Sequence, residues 1–302
     1  MEGPAASSSS LLQSLRSRSF AVVALPPSCT ASVCALLSEA RHFFSDQNAA
    51  ERAALVEPPF APDGTPTYRG CSESEARRIV FARLVGSDET CPVAAALPTL
   101  RQACLELHVF ALGLLRALAA ELALDDSALV DLADPPPSSA DTHELSSLLS
   151  LFRYEPGAAT PCGEHVDYTL LTVAPFASAP GLEVLDLAAF EWQCPEDASL
   201  ESVAGPCCAT HAVVMAGEAL ELVSGGAISA TTHRVVPRWV EPRASGEPHY
   251  RYSCPYLLYA RPEARLSRWA LEGQPPAASE APQARDFMRS SQLSKVSAVY
   301  SD

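Results

Sequence analysis

Apolar positions along the chain change their period near residue 145. In the first half they recur at helical spacing. Residues 30–44 carry Val33, Leu36, Leu37, Ala40 and Phe44 on one face, which predicts a helix. The long apolar stretch over 103–124 predicts a second, largely buried helix, because Glu106, His108, Arg116 and Glu121 make a narrow polar stripe along it. A short strand is expected at 20–25, stopped by Pro26 and Pro27. Residues 57–70 are rich in Pro and Gly and read as irregular, with a further helix expected between them and the long one.

After residue 145 short apolar runs alternate with turn residues. Strands are expected at 148–154, 169–175, 182–185, 212–215, 219–222, 233–236 and 250–259. Helices first and many short strands afterwards predict a mostly β protein with flanking helices, an antiparallel sandwich or barrel behind an α-rich N-terminal region. Ser7–Ser10 and the other serines before residue 19 suggest a disordered tail over 1–18, or a weak targeting peptide given Arg16 and Arg18. A single domain then spans 19–302: a helical part (19–145), a β core (146–266) and a C-terminal extension (267–302) with a polar helix at about 283–295.

Composition narrows the function. With 21 basic and 36 acidic residues the formal charge is −15, which disfavours nucleic acid as a partner. The charges within the long helix argue against a membrane span. Ten cysteines with no Cys-x-x-Cys pair, behind no recognisable secretory signal, suggest a reduced, cytoplasmic setting in which most of them pack as small core residues.

Candidate chemistry starts at Gly163-Glu164-His165-Val166-Asp167-Tyr168. In extended chain, residues two apart share a face, so His165 and Asp167 offer an imidazole and a carboxylate side by side. His233, opening the run His-Arg-Val-Val, is the best third ligand, and two histidines with one carboxylate make the facial triad of non-haem Fe(II) oxygenases. A His-x-Asp pair is equally what a polar strand end looks like, among seven histidines. Arg251 and Ser253, again two apart, suit the far carboxylate of a dicarboxylate cosubstrate; a surface arginine on a polar strand face reads the same way.

Six ordered segments carry a resemblance: Leu-Phe-Arg-Tyr-Glu-Pro (151–156), His-Val-Asp-Tyr-Thr-Leu-Leu-Thr (165–172), Pro-Gly-Leu-Glu-Val-Leu-Asp (180–186), Gly-Glu-Ala-Leu-Glu-Leu (217–222), Ala-Thr-Thr-His-Arg-Val-Val (230–236) and Arg-Tyr-Ser-Cys-Pro-Tyr-Leu-Leu (251–258). Together they resemble the isopenicillin N synthase-like family of Fe(II)/2-oxoglutarate-dependent dioxygenases. The resemblance implies a double-stranded β-helix (a cupin-like jelly-roll) with His165, Asp167 and His233 on iron. It implies Arg251, Ser253 and Tyr154 on the C5 carboxylate of 2-oxoglutarate. The implied reaction consumes O2, with ascorbate as an accessory reductant, and hydroxylates or desaturates a small organic substrate while releasing succinate and CO2. Departures are Phe152 where many plant members carry asparagine, Glu218 for the usual aspartate, and apparent insertions at 194–210 and 237–249. Tyr68, Arg69, Arg153 and Phe176 are the substrate-contact candidates, and the chain is expected to be a monomer binding a small molecule, an organic acid or a hydrophobic metabolite. Two rivals remain: an Fe(II) oxidase of the same family that uses no oxo-acid, and a metal-binding barrel without turnover. A zinc hydrolase would need Glu164 as general base, on the wrong face of the strand.

Overall fold

The computed structural model describes residues 10–57, 70–84, 92–137, 144–157, 161–199, 209–236, 250–267, 281–288 and 290. The chain opens with helix α1 (Leu11–Arg18), strand β1 (Phe20–Ala24), and helices α2 (Pro27–Phe43) and α3 (Ala49–Ala54). A hairpin of β2 (Gly70–Glu73) and β3 (Arg77–Ala82) leads to the long helix α4 (Leu100–Glu121). Then come β4 (Leu148–Tyr154), β5 (Cys162–His165), β6 (Leu171–Pro175), β7 (Leu182–Asp186), β8 (Glu191–Gln193), β9 (His211–Ala216), helix α5 (Glu218–Val223), β10 (His233–Val235), β11 (Arg251–Ser253) and β12 (Tyr256–Leu258).

Two antiparallel sheets result. One has the order β1-β9-β6-β12-β4-β3-β2, with β11 also on β4; the other has the order β5-β10-β7-β8. From β4 onward the chain passes back and forth between the sheets, with β7–β8 and β11–β12 each staying in one sheet, which is the jelly-roll path of a double-stranded β-helix. Each strand of the large sheet has two working faces. Leu149 and Leu151 on β4, with Val214 and Ala216 on β9, join Leu36, Leu37, Leu107, Leu112 and Leu115 of α2 and α4 in the main core. The alternate positions Leu148, Ser150, Phe152 and Tyr154 face a cavity between the sheets. A smaller cluster of Phe20, Ala174, Phe176, Leu182, Val184, Val213 and Met215 closes one end of that space.

Helix α4 buries Leu100, Ala103, Cys104, Leu107, His108, Ala111, Leu112, Leu115, Leu118 and Ala119, a stripe at helical period packed on α2 and on β6 and β12. His108 is fully buried, and its Nδ1 lies 2.7 Å from the Tyr256 hydroxyl.

Three expectations are corrected. The tail over 1–18 is not disordered at Leu11–Arg18: Ser10 caps the helix, its hydroxyl accepting from Gln13 N, Leu12 and Leu15 are buried, and Glu121 at the end of α4 accepts from Leu12 N. The residues before it lie outside those described. The helix expected after residue 70 is the β2–β3 hairpin, because Arg77–Ala82 pairs with residues 149–154 of β4 and that pairing, with the β-prone run Ile79-Val80-Phe81, decides the segment. The strand expected at 219–222 is α5; a short apolar run carries no period of its own. Strands β5 and β8 escaped the pattern. The expected C-terminal helix appears as a helical turn at 284–288, and its continuation lies largely outside the described residues.

Candidate metal centre

β5 and β10 are neighbours in the small sheet, and their register sets His165 opposite His233, with ring centroids 4.2 Å apart. The Nδ1–H of His165 donates to Gly163 O at 2.8 Å and that of His233 to Thr231 O at 3.0 Å. Each bond makes Nδ1 the donor and leaves Nε2 as the nitrogen turned toward Asp167. Asp167, just past the end of β5, completes the group: His165 Nε2 is 3.6 Å from Oδ1 and His233 Nε2 is 3.8 Å from Oδ2. All three ligand atoms lie within 4.8 Å of one another. Two imidazole nitrogens and one carboxylate, presented from one side, fit a first-row divalent metal with open positions on the other.

The carboxylate is itself held. Thr172 donates to Asp167 Oδ2 at 2.5 Å, and Glu218 N, at the start of α5, donates to Asp167 O at 2.8 Å. Gly217 allows this close approach. A Cβ there would stand 2.1 Å from Thr169 O and 2.4 Å from its hydroxyl. Burial opposes a charged His165, but Cys162 beside it (Sγ to Nδ1, 3.9 Å) and Asp167 outweigh burial and push the imidazole pKa up to about 9, so a metal binding there must displace the Nε2 proton.

The same cavity, about 550 Å³, lies within the range of roughly 300–1,000 Å³ usual for small-molecule sites, and Tyr154, Arg251 and Ser253 line it. Arg251 and Ser253 pair in register with Tyr154 and Phe152 of β4. The Tyr154 hydroxyl bonds to Ser253, and burial pushes its pKa up to about 12. Arg251 is 2% exposed; its Nε donates to Ala179 O at 3.0 Å, and its Nη2 donates to both oxygens of Glu196 at 3.1 Å. Burial works against that charge, and Glu196 more than restores it, so Arg251 is held above the ordinary arginine range. Its Nη1 is buried with no hydrogen-bond partner among the described residues. A buried guanidinium nitrogen without an acceptor, beside two hydroxyls in a cavity, fits an incoming carboxylate.

The structure thus brings His165, Asp167, His233, Arg251, Ser253 and Tyr154 to one cavity. It does not bring Arg153 or Phe176 there. Arg153 points to the opposite face of β4, where it binds Glu155 and Phe44 O and lies over the Tyr250 ring. Phe176 is core, packed in the smaller cluster and against His211. Tyr68 and Arg69 lie outside the described residues. Glu164 is exposed at the cavity rim.

Three residues of the site were not anticipated. Thr172 is part of the segment that resembles the family, five positions after Asp167, and that spacing was a usable signal. Arg77 lines the cavity from β3, on the segment expected to be helical. Glu196 belongs to a stretch read as an insertion and left no local signal.

No protein-family profile and no curated protein sequence matches the chain. Solved structures do. A full-length Neurospora crassa protein, crystallised in complex with alpha-KG and thymine, superposes with a TM-score of 0.67 at 16% identity, covering 96% of this chain and 90% of that one. A rice dioxygenase for auxin oxidation gives 0.65 at 18%, covering 94% and 88%. JOX2, solved with 2OG, Fe and JA, gives 0.64 at 15%, covering 92% and 79%. The likeness runs through nearly the whole chain and establishes the shared double-stranded β-helix fold.

Proposed function

We propose that this chain is an Fe(II)- and 2-oxoglutarate-dependent oxygenase that hydroxylates or desaturates a small organic substrate. One observation carries the reading: two imidazoles and a carboxylate converge in the cavity that also holds Nη1 of Arg251, which is buried with no hydrogen-bond partner among the described residues. The fold is that of structures solved with 2-oxoglutarate, among them one with iron as well. His165, Asp167 and His233 are the iron ligands in this reading. Arg251, Ser253 and Tyr154 hold the cosubstrate by its far carboxylate.

Ferrous iron and 2-oxoglutarate, once bound, supply the oxidising chemistry, in which O2 is consumed and the oxo-acid leaves as succinate and CO2. The protein's share is position. Gly163 and Thr231 carbonyls keep both imidazoles in the metal-binding tautomer. Thr172 stops Asp167 from rotating away. Tyr154, neutral at physiological pH, gives a hydroxyl and an aromatic wall. Apolar side chains of the two sheets exclude water from the reacting end.

The test is anaerobic addition of Fe(II) and 2-oxoglutarate, followed by the visible metal-to-ligand charge-transfer band and then by succinate release in air. Arg251→Gln should weaken the band and His233→Ala abolish it. A wild-type protein that forms no band, or a band indifferent to Arg251, removes the assignment. One observation favours a second reading, an Fe(II) oxidase that uses no oxo-acid: Glu196 already occupies Nη2 of Arg251. Substrate turnover without succinate would select it.

A further inference from the structure

The register of the large sheet puts a second guanidinium in the cavity. Arg77 on β3 pairs with Tyr154 on β4, and Tyr154 pairs on its other side with Arg251 on β11. All three side chains line the cavity. Between the two arginines lies an aromatic platform. Phe152 and Tyr154 stack at 5.4 Å and 16°, with the Arg251 Cζ 5.1 Å from the Tyr154 centroid and the Arg77 Cζ 5.8 Å from that of Phe152. The two ends differ in charge. Arg251 is compensated by buried Glu196. Among the described residues no carboxylate lies within 4.0 Å of Arg77, whose neighbours are the Phe152 ring and the Cys162 thiol. Cys162 is in turn 3.9 Å from His165 Nδ1, so this cationic end adjoins the metal centre.

We propose that Arg77 is the anchor for the substrate, and that the substrate is a small organic acid carrying one carboxylate on an apolar or aromatic body. The inference rests on the oxygenase reading for its chemistry, though not for the binding itself. A guanidinium grips one carboxylate through two parallel hydrogen bonds. Phe152, Ile79 and Phe81 offer the apolar body a floor beside it. A phosphate or polyanion asks for more donors than one half-buried arginine supplies, and the chain's −15 charge disfavours it further. Phe152, where asparagine is common among plant members of the resembling family, becomes intelligible as the ring that carries Arg77.

The test uses protein loaded with Fe(II) and 2-oxoglutarate without oxygen. Benzoate, phenylacetate and 3-phenylpropionate are titrated against their amides by calorimetry, with the charge-transfer band recorded in parallel. At least one acid should bind about tenfold more tightly than its amide, a difference in the range of a charge-assisted hydrogen bond. Arg77→Gln should bring that pair to within about twofold, and Arg77→Lys should retain part of the preference, while 2-oxoglutarate affinity stays within about twofold of wild type in both. The proposal is overturned if no acid is preferred, if the preference survives Arg77→Gln, or if that change weakens 2-oxoglutarate as much as the acids. An Arg77-dependent preference in a protein that forms no charge-transfer band would sustain the anchor and remove the oxygenase reading.

Discussion

Replacing Glu196 with glutamine tests the buried pair on which the carboxylate pocket is built. The side chains of Glu196 and Arg251 are 4% and 3% exposed, so neither charge has water to fall back on. The carboxylate accepts from Ala177 N at 2.9 Å through one oxygen, from Gly181 N at 2.8 Å and Leu182 N at 2.9 Å through the other, and from Arg251 Nη2 through both. Each of these four groups is a donor. An amide in its place keeps one acceptor and turns its NH2 toward donors whichever way it is flipped. It also leaves the guanidinium charge uncompensated, a change that costs about 3–5 kcal/mol. In a domain of this size that is on the order of 10 °C in melting temperature. Urea denaturation and thermal melts of Glu196→Gln check it. The double change Glu196→Leu with Arg251→Met removes both charges together, and should cost less than the sum of the single changes by more than about 1 kcal/mol. A Glu196→Gln protein within about 0.5 kcal/mol of wild type, or strictly additive single changes, would refute the reasoning.

Thr172→Val keeps the shape of the side chain but removes the donor to Asp167 Oδ2, and should weaken Fe(II) or Co(II) binding by roughly 10- to 100-fold in a metal titration. Gly217→Ala drives a Cβ into the backbone of Thr169, and should cost about 1–3 kcal/mol in denaturant together with metal affinity; a melt and titration matching wild type would mean that the Thr169 turn yields freely. His108 is buried and its pKa is lowered by that burial, against the pull of Asp134 and Pro135. Its folded pKa therefore lies below the unfolded value near 6.5, and its share of stability is complete above pH 6.5 and lost as pH falls below it, by up to about 1.4 kcal/mol per pH unit. His108→Gln should flatten that fall; parallel stability curves for the two proteins between pH 5 and 7.5 would contradict it.

How far the sequence could be read depended on where the deciding contact lies. β4 was readable to the residue because Leu148–Tyr154 is a short, mostly apolar and aromatic run bounded by Ser146-Ser147 and Glu155-Pro156. The metal group was readable because its spacing is local twice over: His165 and Asp167 share a face, and His233 opens an apolar strand. Arg77–Ala82 was not readable, since Ala76, Arg77 and Arg78 favour a helix and pairing with β4 decides otherwise. Arg77 was lost with it. α1 was hidden by its serines, although Leu12 and Leu15 carry the helical spacing that docks it. Glu196 is the hardest case. Nothing in Cys-Pro-Glu-Asp marks it, and its partner Arg251 stands 55 positions away across the barrel.

The charge pattern around the cavity sets how anionic ligands arrive. At a distance the chain presents −15, and the Arg251–Glu196 pair adds nothing to offset it. Both 2-oxoglutarate and an organic-acid substrate must therefore approach against a repulsive field, and meet attraction only within contact of Nη1 of Arg251 or of Arg77. Salt shortens the reach of the field from about 30 Å at 0.01 M to about 10 Å at 0.1 M, while a guanidinium contact inside a cavity is screened far less. Raising the salt across that range should speed the association of the anions, leave that of a neutral amide unchanged and alter dissociation little. Stopped-flow fluorescence on the metal-loaded protein measures all three. If salt slows the anions instead, a positive field extends outside the cavity, and compensation of Arg251 by Glu196 is not what governs entry.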